Sequence, residues 1–219
     1  MRSGEAAAMD SGRAASKLCP REGALIDGFN FAFSLFAIIL GLSLVEVLTG
    51  FARALKRRRV VHLGWLTPML AMFVMLDLTS FWEAGWGSRR FVSPQYGILL
   101  IGLMMTGLYY LAASLVFPSE FGEAHQELRG ADFDKHYMQH RWQVLGAIMI
   151  CDAIEIAPVL ILRASEVPAR VWVENALQFS ALLTCIVSRN KRANIAALAI
   201  LIAIYLYTAV MSFIQPVPL

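Results

Sequence analysis

Asp152 and Glu155 stand three residues apart in the run ICDAIEIAP, inside an apolar stretch long enough to cross a bilayer. At that spacing two side chains share one face of a helix. Asp77 and Glu174 fall within two further apolar segments, and Gln178 follows Glu174 by four residues. An acid at mid-membrane costs about 2.5–3.5 kcal/mol on insertion scales, so several together must face a bundle interior, line a cavity or take up protons. No lysine or arginine lies deep in the segments that carry them. An interior with acids alone suits a proton or a cation rather than an anion. Asp77, Asp152, Glu155 and Glu174 are the candidate ion- or proton-binding residues. A structural reading stands beside this one. The acids would then be polar glue between helices, bonded to Ser, Thr, Asn or backbone groups such as Asn30, Ser43, Thr79 and Asn175.

The second constellation is DFDKHYMQH, in which Asp132, His136 and His140 recur every four residues. His-x3-His on one helical face can hold a metal, with a carboxylate one turn earlier as third ligand or as a partner that orients an imidazole. Surface histidines more often meet headgroups or acids, here Glu123 and Glu127. The four histidines of the chain are too few for a membrane di-iron oxygenase. A third feature is the glycine series Gly97, Gly102 and Gly107, which favours close helix packing within one subunit over a dedicated dimerisation face. No nucleophile elbow, Walker loop, dinucleotide fingerprint or HExxH motif is present, so nothing recognisable marks an enzyme.

The elements that must position these residues follow from composition. The chain has 219 residues, 58% of them apolar and 16% charged, with a mean hydropathy of +0.60. A soluble domain carries about a quarter charged residues. The reading is an all-α, polytopic integral membrane protein, a six-helix transmembrane bundle. Spans of ~20 apolar residues are expected at 28–51, 63–83, 96–117, 142–162, 171–188 and 194–214. Trp65, Trp82, Trp86, Trp142 and Trp172 mark the span ends, as aromatic belts do. Residues 1–26 are expected to be a disordered polar tail without a cleavable signal, and 27–219 a single membrane domain. Within the 118–141 loop, Phe133, Tyr137 and Met138 predict a short amphipathic helix on the membrane surface. Cys19, Cys151 and Cys185 have no CxxC spacing and read as small apolar residues or free thiols.

Basic residues orient the bundle. The first, third and fifth loops hold 11 Lys and Arg against 8 on the other side, chiefly through the RALKRRR run. The positive-inside rule then places those loops in the cytoplasm and both termini outside the inner (plasma) membrane of a bacterial-type cell. In that topology Asp77, Glu155 and Glu174 occupy the same outer half of the bilayer. The net charge of +3 does not suggest nucleic acid as a partner. The expected partners are the lipid bilayer and, as open alternatives, a second copy of the chain or a protein bound at the 118–141 loop.

The stretch Phe33-Ser34 followed by Leu35-Phe36-Ala37-Ile38 is similar to the start of the first helix in the small bacterial six-helix potassium channels related to the lysosomal potassium channel. Phe81-Trp82 resembles the end of their second helix. Their Phe-Ser-Asp motif reads Phe-Ser-Leu here and no arginine opens the first helix, so the resemblance carries over no site residue. Three functions are expected in order: binding or conduction of a proton or cation at the acids, a non-catalytic scaffold or partner-binding protein, and a metal-binding enzyme or sensor using His136 and His140.

Overall fold

A computed structural model of the chain describes residues 3–56, 64–90, 95–118, 133–162 and 167–214, with side chains from residue 28 onward except at 90 and 162. The described residues form six α-helices and one 3-10 turn at Ser88–Arg90. In chain order the helices are α1 (Ser3–Lys56), α2 (Leu66–Gly87), α3 (Tyr96–Val116), α4 (Phe133–Leu162), α5 (Ala169–Val187) and α6 (Lys191–Ile214).

Among the described residues, four stretches are long and apolar enough to cross a membrane: Gly28–Lys56, Tyr96–Val116, Phe133–Ile161 and Lys191–Ile214. The other two helices are α2 and α5. Asp77, Thr79, Ser80 and Glu83 interrupt the apolar run of α2, and Arg170, Glu174, Asn175 and Gln178 do the same in α5. Large apolar side chains point outward on several helices, among them Phe31, Ile38, Met104, Ile161 and Phe213. A water-facing monomer rarely presents so much apolar surface, and the all-helical fold is compatible with a membrane setting.

The bundle closes as a ring in the order α1, α3, α4, α5, α6, α2 and back to α1. Helix α2 also touches α3 and α4, which puts it nearest the centre. Its side chains Leu66, Leu70, Ala71, Phe73 and Val74 are buried. They pack in one cluster with Tyr109, Ala112 and Val116 of α3, Val144, Leu145 and Ile148 of α4, and Leu182, Leu198 and Leu201 of α5 and α6. Cys151 and Cys185 are buried free thiols in that core.

The start of α4 differs from the sequence reading. Phe133, Tyr137 and Arg141, spaced by four, belong to its first turns and are buried. Their stripe faces protein rather than the membrane surface. The Phe133 ring meets Phe117 edge-on at 6.3 Å, the Tyr137 hydroxyl donates to Asn194 Oδ1 at 2.7 Å, and Arg141 Nε donates to the Ile186 carbonyl at 3.3 Å. The two hydrogen bonds tie this face of α4 to the start of α6 and the end of α5. Asp132 and the rest of the loop back to residue 119 lie outside the described residues.

The same end of the bundle holds a cross-helix clamp. Asp134 accepts from the Leu66 amide at 3.3 Å and from Lys191 Nζ at 3.4 Å, and Thr67 Oγ1 donates to the Phe133 carbonyl at 2.8 Å. The starts of α2, α4 and α6 are thereby joined, and Asp134 supplies a cap acceptor that Trp65 does not. Gly64 turns into this clamp with φ 55°, a left-handed conformation that favours glycine. A Cβ there would also run into the Asp134 carboxylate.

Of the glycine series in α3, Gly102 alone lies against a neighbouring helix. A Cβ on Gly102 would come within 2.6 Å of the Phe36 ring of α1, whereas Gly97 and Gly107 have open space. Close packing within the subunit therefore accounts for Gly102. Gly102→Ala is expected to destabilise the fold by about 1–2 kcal/mol through overpacking. Gly107→Ala is expected to be neutral or to stabilise by up to about 1 kcal/mol through helix propensity. Thermal melts of both variants in one detergent check the contrast, and equal melting temperatures would contradict it.

Candidate functional site

Helical periodicity turns five helices toward one space. On α4, Asp152, Glu155, Ile156 and Val159 fall at i, i+3, i+4 and i+7, a single stripe. On α5 the stripe is Val171, Glu174, Asn175 and Gln178, at the same intervals. Helix α2 contributes Asp77, Ser80 and Phe81, α3 contributes Tyr109, and α6 contributes Tyr205 and Thr208 one turn apart. These stripes enclose a cavity of about 290 Å³. It takes in all four acids singled out from the sequence, and no Lys or Arg lines it among the described residues.

A hydrogen-bonded chain crosses the cavity. Gln178 Nε2 donates to Asp152 Oδ2 and to the Tyr205 hydroxyl oxygen, each at 2.9 Å. The Tyr205 hydroxyl in turn donates to Asp77 Oδ1 at 2.5 Å. Residues of α4, α5, α6 and α2 are thus linked in sequence as Asp152, Gln178, Tyr205 and Asp77. Asp77 is only 1% exposed. Its second oxygen, Oδ2, is buried without a hydrogen-bond partner among the described residues. The Tyr109 hydroxyl is a second hydrogen-bonding neighbour of the same carboxylate, so phenols of α6 and α3 both flank this acid.

One turn toward the Asp134 end, the cavity is closed by apolar side chains. Phe73, Ile148, Leu182 and Leu201 lie four residues from Asp77, Asp152, Gln178 and Tyr205 respectively, and all four are fully buried. The Phe73 and Tyr205 rings are 6.0 Å apart between centroids, which joins this floor to the polar layer. Packed hydrocarbon therefore lies between the cavity and the Asp134 end of the bundle.

Glu174 differs from the other three acids. Arg170, one turn earlier on α5, holds its carboxylate at 2.6 Å, and the Arg170 guanidinium also stacks 5.0 Å from the centroid of Tyr207. The expectation that no basic residue reaches the acids fails here, because an i, i+4 step on a helix brings a rim arginine to the acid below it. Glu174 is thus a neutralised rim residue, while Asp77, Asp152 and Glu155 make the interior. Glu46 lies elsewhere, 3.9 Å from Arg53.

Tyr205 and Tyr109 were not singled out from the sequence. The available signal was a phenol within an apolar helix, since a buried tyrosine hydroxyl requires a partner. Gln178 had been noted only for its spacing from Glu174, yet it bridges two other helices.

The histidine pair is placed apart from the acids. The His136 and His140 rings stack with centroids 4.3 Å apart. One ring nitrogen of each lies near a backbone carbonyl, His136 Nε2 at 3.1 Å from Leu115 and His140 Nδ1 at 3.2 Å from His136. With Glu46, Arg53 and Ser114 they border a second cavity of about 380 Å³ near the loop end of α3. No group of three His, Cys, Asp or Glu side chains able to hold a metal occurs among the described residues, and Asp132 lies outside them. No family model matches the chain, and no curated protein or solved structure matches it significantly.

Proposed function

We propose that the protein crosses the inner (plasma) membrane six times and binds a proton or cation for transport at the pocket of Asp77, Asp152 and Glu155. The observation that carries this reading is the convergence of Asp77, Asp152 and Glu155 on one cavity that no Lys or Arg lines among the described residues. Acids brought together in apolar surroundings favour a shared proton or a bound cation over several bare charges. The length of the two polar helices is adequate for spans. At ~1.5 Å per residue α2 extends ~33 Å and α5 ~28 Å, against a hydrocarbon core of ~30 Å. Their polar side chains line the cavity, which is the arrangement that lets ionisable residues enter a bilayer.

The basic first, third and fifth loops face the cytoplasm in this proposal, so the pocket opens outward. The floor of Phe73, Ile148, Leu182 and Leu201 then separates a bound ion from the cytoplasmic side. Passage requires those side chains to part, and the described state is one that loads from outside. The competing reading is that the same hydrogen bonds are polar glue. It accounts for the bridge from Asp152 to Asp77 but not for the open cavity beside it.

Flux into proteoliposomes distinguishes them. Purified protein is expected to carry protons or a monovalent cation, and the Asp152→Asn, Glu155→Gln double variant is expected to reduce that flux to the level of empty liposomes. Unchanged flux in the double variant, with normal insertion, would sink the transport reading. A wild-type protein that carries neither, and whose double variant only melts lower, supports the structural one.

A further inference from the structure

We infer that the second cavity, at the loop end of α3, seats the headgroup of a phospholipid that carries a primary ammonium, as the ethanolamine class does. The acyl chains lie along the outer faces of α1 and α3. This site is separate from the acidic pocket and does not depend on what that pocket binds. Its lining is mixed in charge. Glu46 and Arg53 of α1, Ser114 of α3, and His136 and His140 of α4 border about 380 Å³, within the ~300–1,000 Å³ of small-molecule sites.

Unfilled hydrogen-bonding capacity is the first observation. The Arg53 side chain reaches back along α1 until its Nη2 is 3.9 Å from Glu46 Oε1. That is too long for a hydrogen bond. Among the described residues the guanidinium makes one hydrogen bond, from Nε to the Thr49 carbonyl at 3.4 Å. Each imidazole has one nitrogen near a backbone carbonyl and the other without a hydrogen-bond partner among the described residues. A guanidinium with N–H groups to give suits a phosphate oxygen, and the carboxylate beside it suits an ammonium N–H. Both groups are 41% exposed, so a ligand can reach each of them. The pair presents, side by side, the two charges that complement a zwitterion.

Glu46 decides between headgroups. A purely anionic lipid would set its phosphate beside a carboxylate with nothing to answer it. A choline group brings positive charge but no N–H for that carboxylate. An ethanolamine group brings phosphate, positive charge and N–H together. The second observation is the apolar surface that continues from the cavity. On the Glu46 stripe of α1, Leu42 and Leu35 follow at four and eleven residues, each about half exposed. On the Ser114 stripe of α3, Tyr110 and Leu103 follow at the same intervals and are exposed, and Gly107 between them borders open space. The two helices approach closely, since Gly102 of α3 lies against the Phe36 ring of α1. A charged pocket that runs on into hydrocarbon-facing stripes has the polarity sequence of a lipid. A soluble phosphate ester would use the pocket alone.

The test is native mass spectrometry of the full chain in a neutral detergent, with phosphatidylethanolamine, phosphatidylcholine and phosphatidylglycerol of identical acyl chains. Retention of phosphatidylethanolamine is expected to exceed that of each other lipid at least fivefold. Glu46→Gln is expected to bring it down to the level of phosphatidylcholine. Arg53→Gln is expected to lower it at least fivefold, and so is Gly107→Trp, which fills the apolar stripe from an open position. Glu46, Arg53 and Gly107 lie at the surface, and thermal melts confirm that the variants fold. Equal retention of the three lipids by the unaltered protein, or a preference for phosphatidylglycerol, would overturn the inference. A preference unchanged in Glu46→Gln would place the lipid elsewhere and overturn it as well. Displacement of the lipid by an equal concentration of soluble phosphoethanolamine would identify a soluble ligand and overturn the lipid assignment.

Discussion

Asp77→Asn is expected to lower proton or cation uptake by proteoliposomes at least tenfold, the largest loss from any single substitution in the pocket. The substitution is nearly isosteric and keeps an oxygen to accept from Tyr205, so the hydrogen-bonded chain through Gln178 can persist. What it removes is the charge on the one acid of the pocket that is fully buried. Two unit charges 4 Å apart interact by about 4 kcal/mol at an effective dielectric of 20. A tenfold loss corresponds to about 1.4 kcal/mol, so the expected effect uses well under half of the available attraction. The measurement is initial uptake rate at matched protein density, with gel filtration to show an intact fold. Uptake equal to the unaltered protein would mean that charge at position 77 is not used, and the pocket would lose its central residue.

The second large effect is on stability. Asn194→Ala is expected to destabilise the fold by about 2–3 kcal/mol, read as a fall in melting temperature of roughly 4–12 °C for a chain of this size. Asn194 is fully buried at the start of α6. It accepts from the Tyr137 hydroxyl at 2.7 Å and donates to the Ser188 and Asn190 carbonyls at 2.8 and 2.9 Å. One side chain therefore joins α4 to the turn between α5 and α6. Its removal leaves the buried Tyr137 phenol without this acceptor and takes a donor from the Ser188 carbonyl, while the Asn190 carbonyl keeps the Asn194 backbone amide; an unsatisfied buried group costs about 1–3 kcal/mol before relaxation. A fall under 2 °C would show that water replaces Asn194 without penalty. The site lies at the end of the bundle away from the acidic pocket, so this loss is one of folding rather than binding.

Particular residues show how far the sequence could be read. Asp152 and Glu155 were assigned to one helical face from their spacing, and they do share a stripe on α4. The apolar runs implied helices throughout, and four of them are long and apolar enough to span. Both inferences use information local to the chain: period 3.6 and summed hydropathy. The start of α4 was missed because Phe133 and Tyr137 look alike on a membrane-surface helix and on a buried one. Only their partners, Phe117 and Asn194, separate the two cases. Glu174 was grouped with the interior acids because the expected span began at 171 and left Arg170 in a loop, whereas α5 begins two residues earlier, at Ala169.

The sequence by itself determined that this chain is helical and membrane-compatible, and that carboxylates are embedded in its apolar segments. Those properties arise from residues adjacent along the backbone, where spacing is set by covalent geometry. The tertiary structure alone decided that Tyr205, 128 residues from Asp77, is its hydrogen-bond donor, that Gln178 reaches Asp152 across 26, and that Phe73, Ile148, Leu182 and Leu201 seal the pocket from below. Which stripes face one another depends on how the helices of the bundle pack. That choice is made by complementary shape and paired polar groups between distant segments, and no local periodicity encodes it.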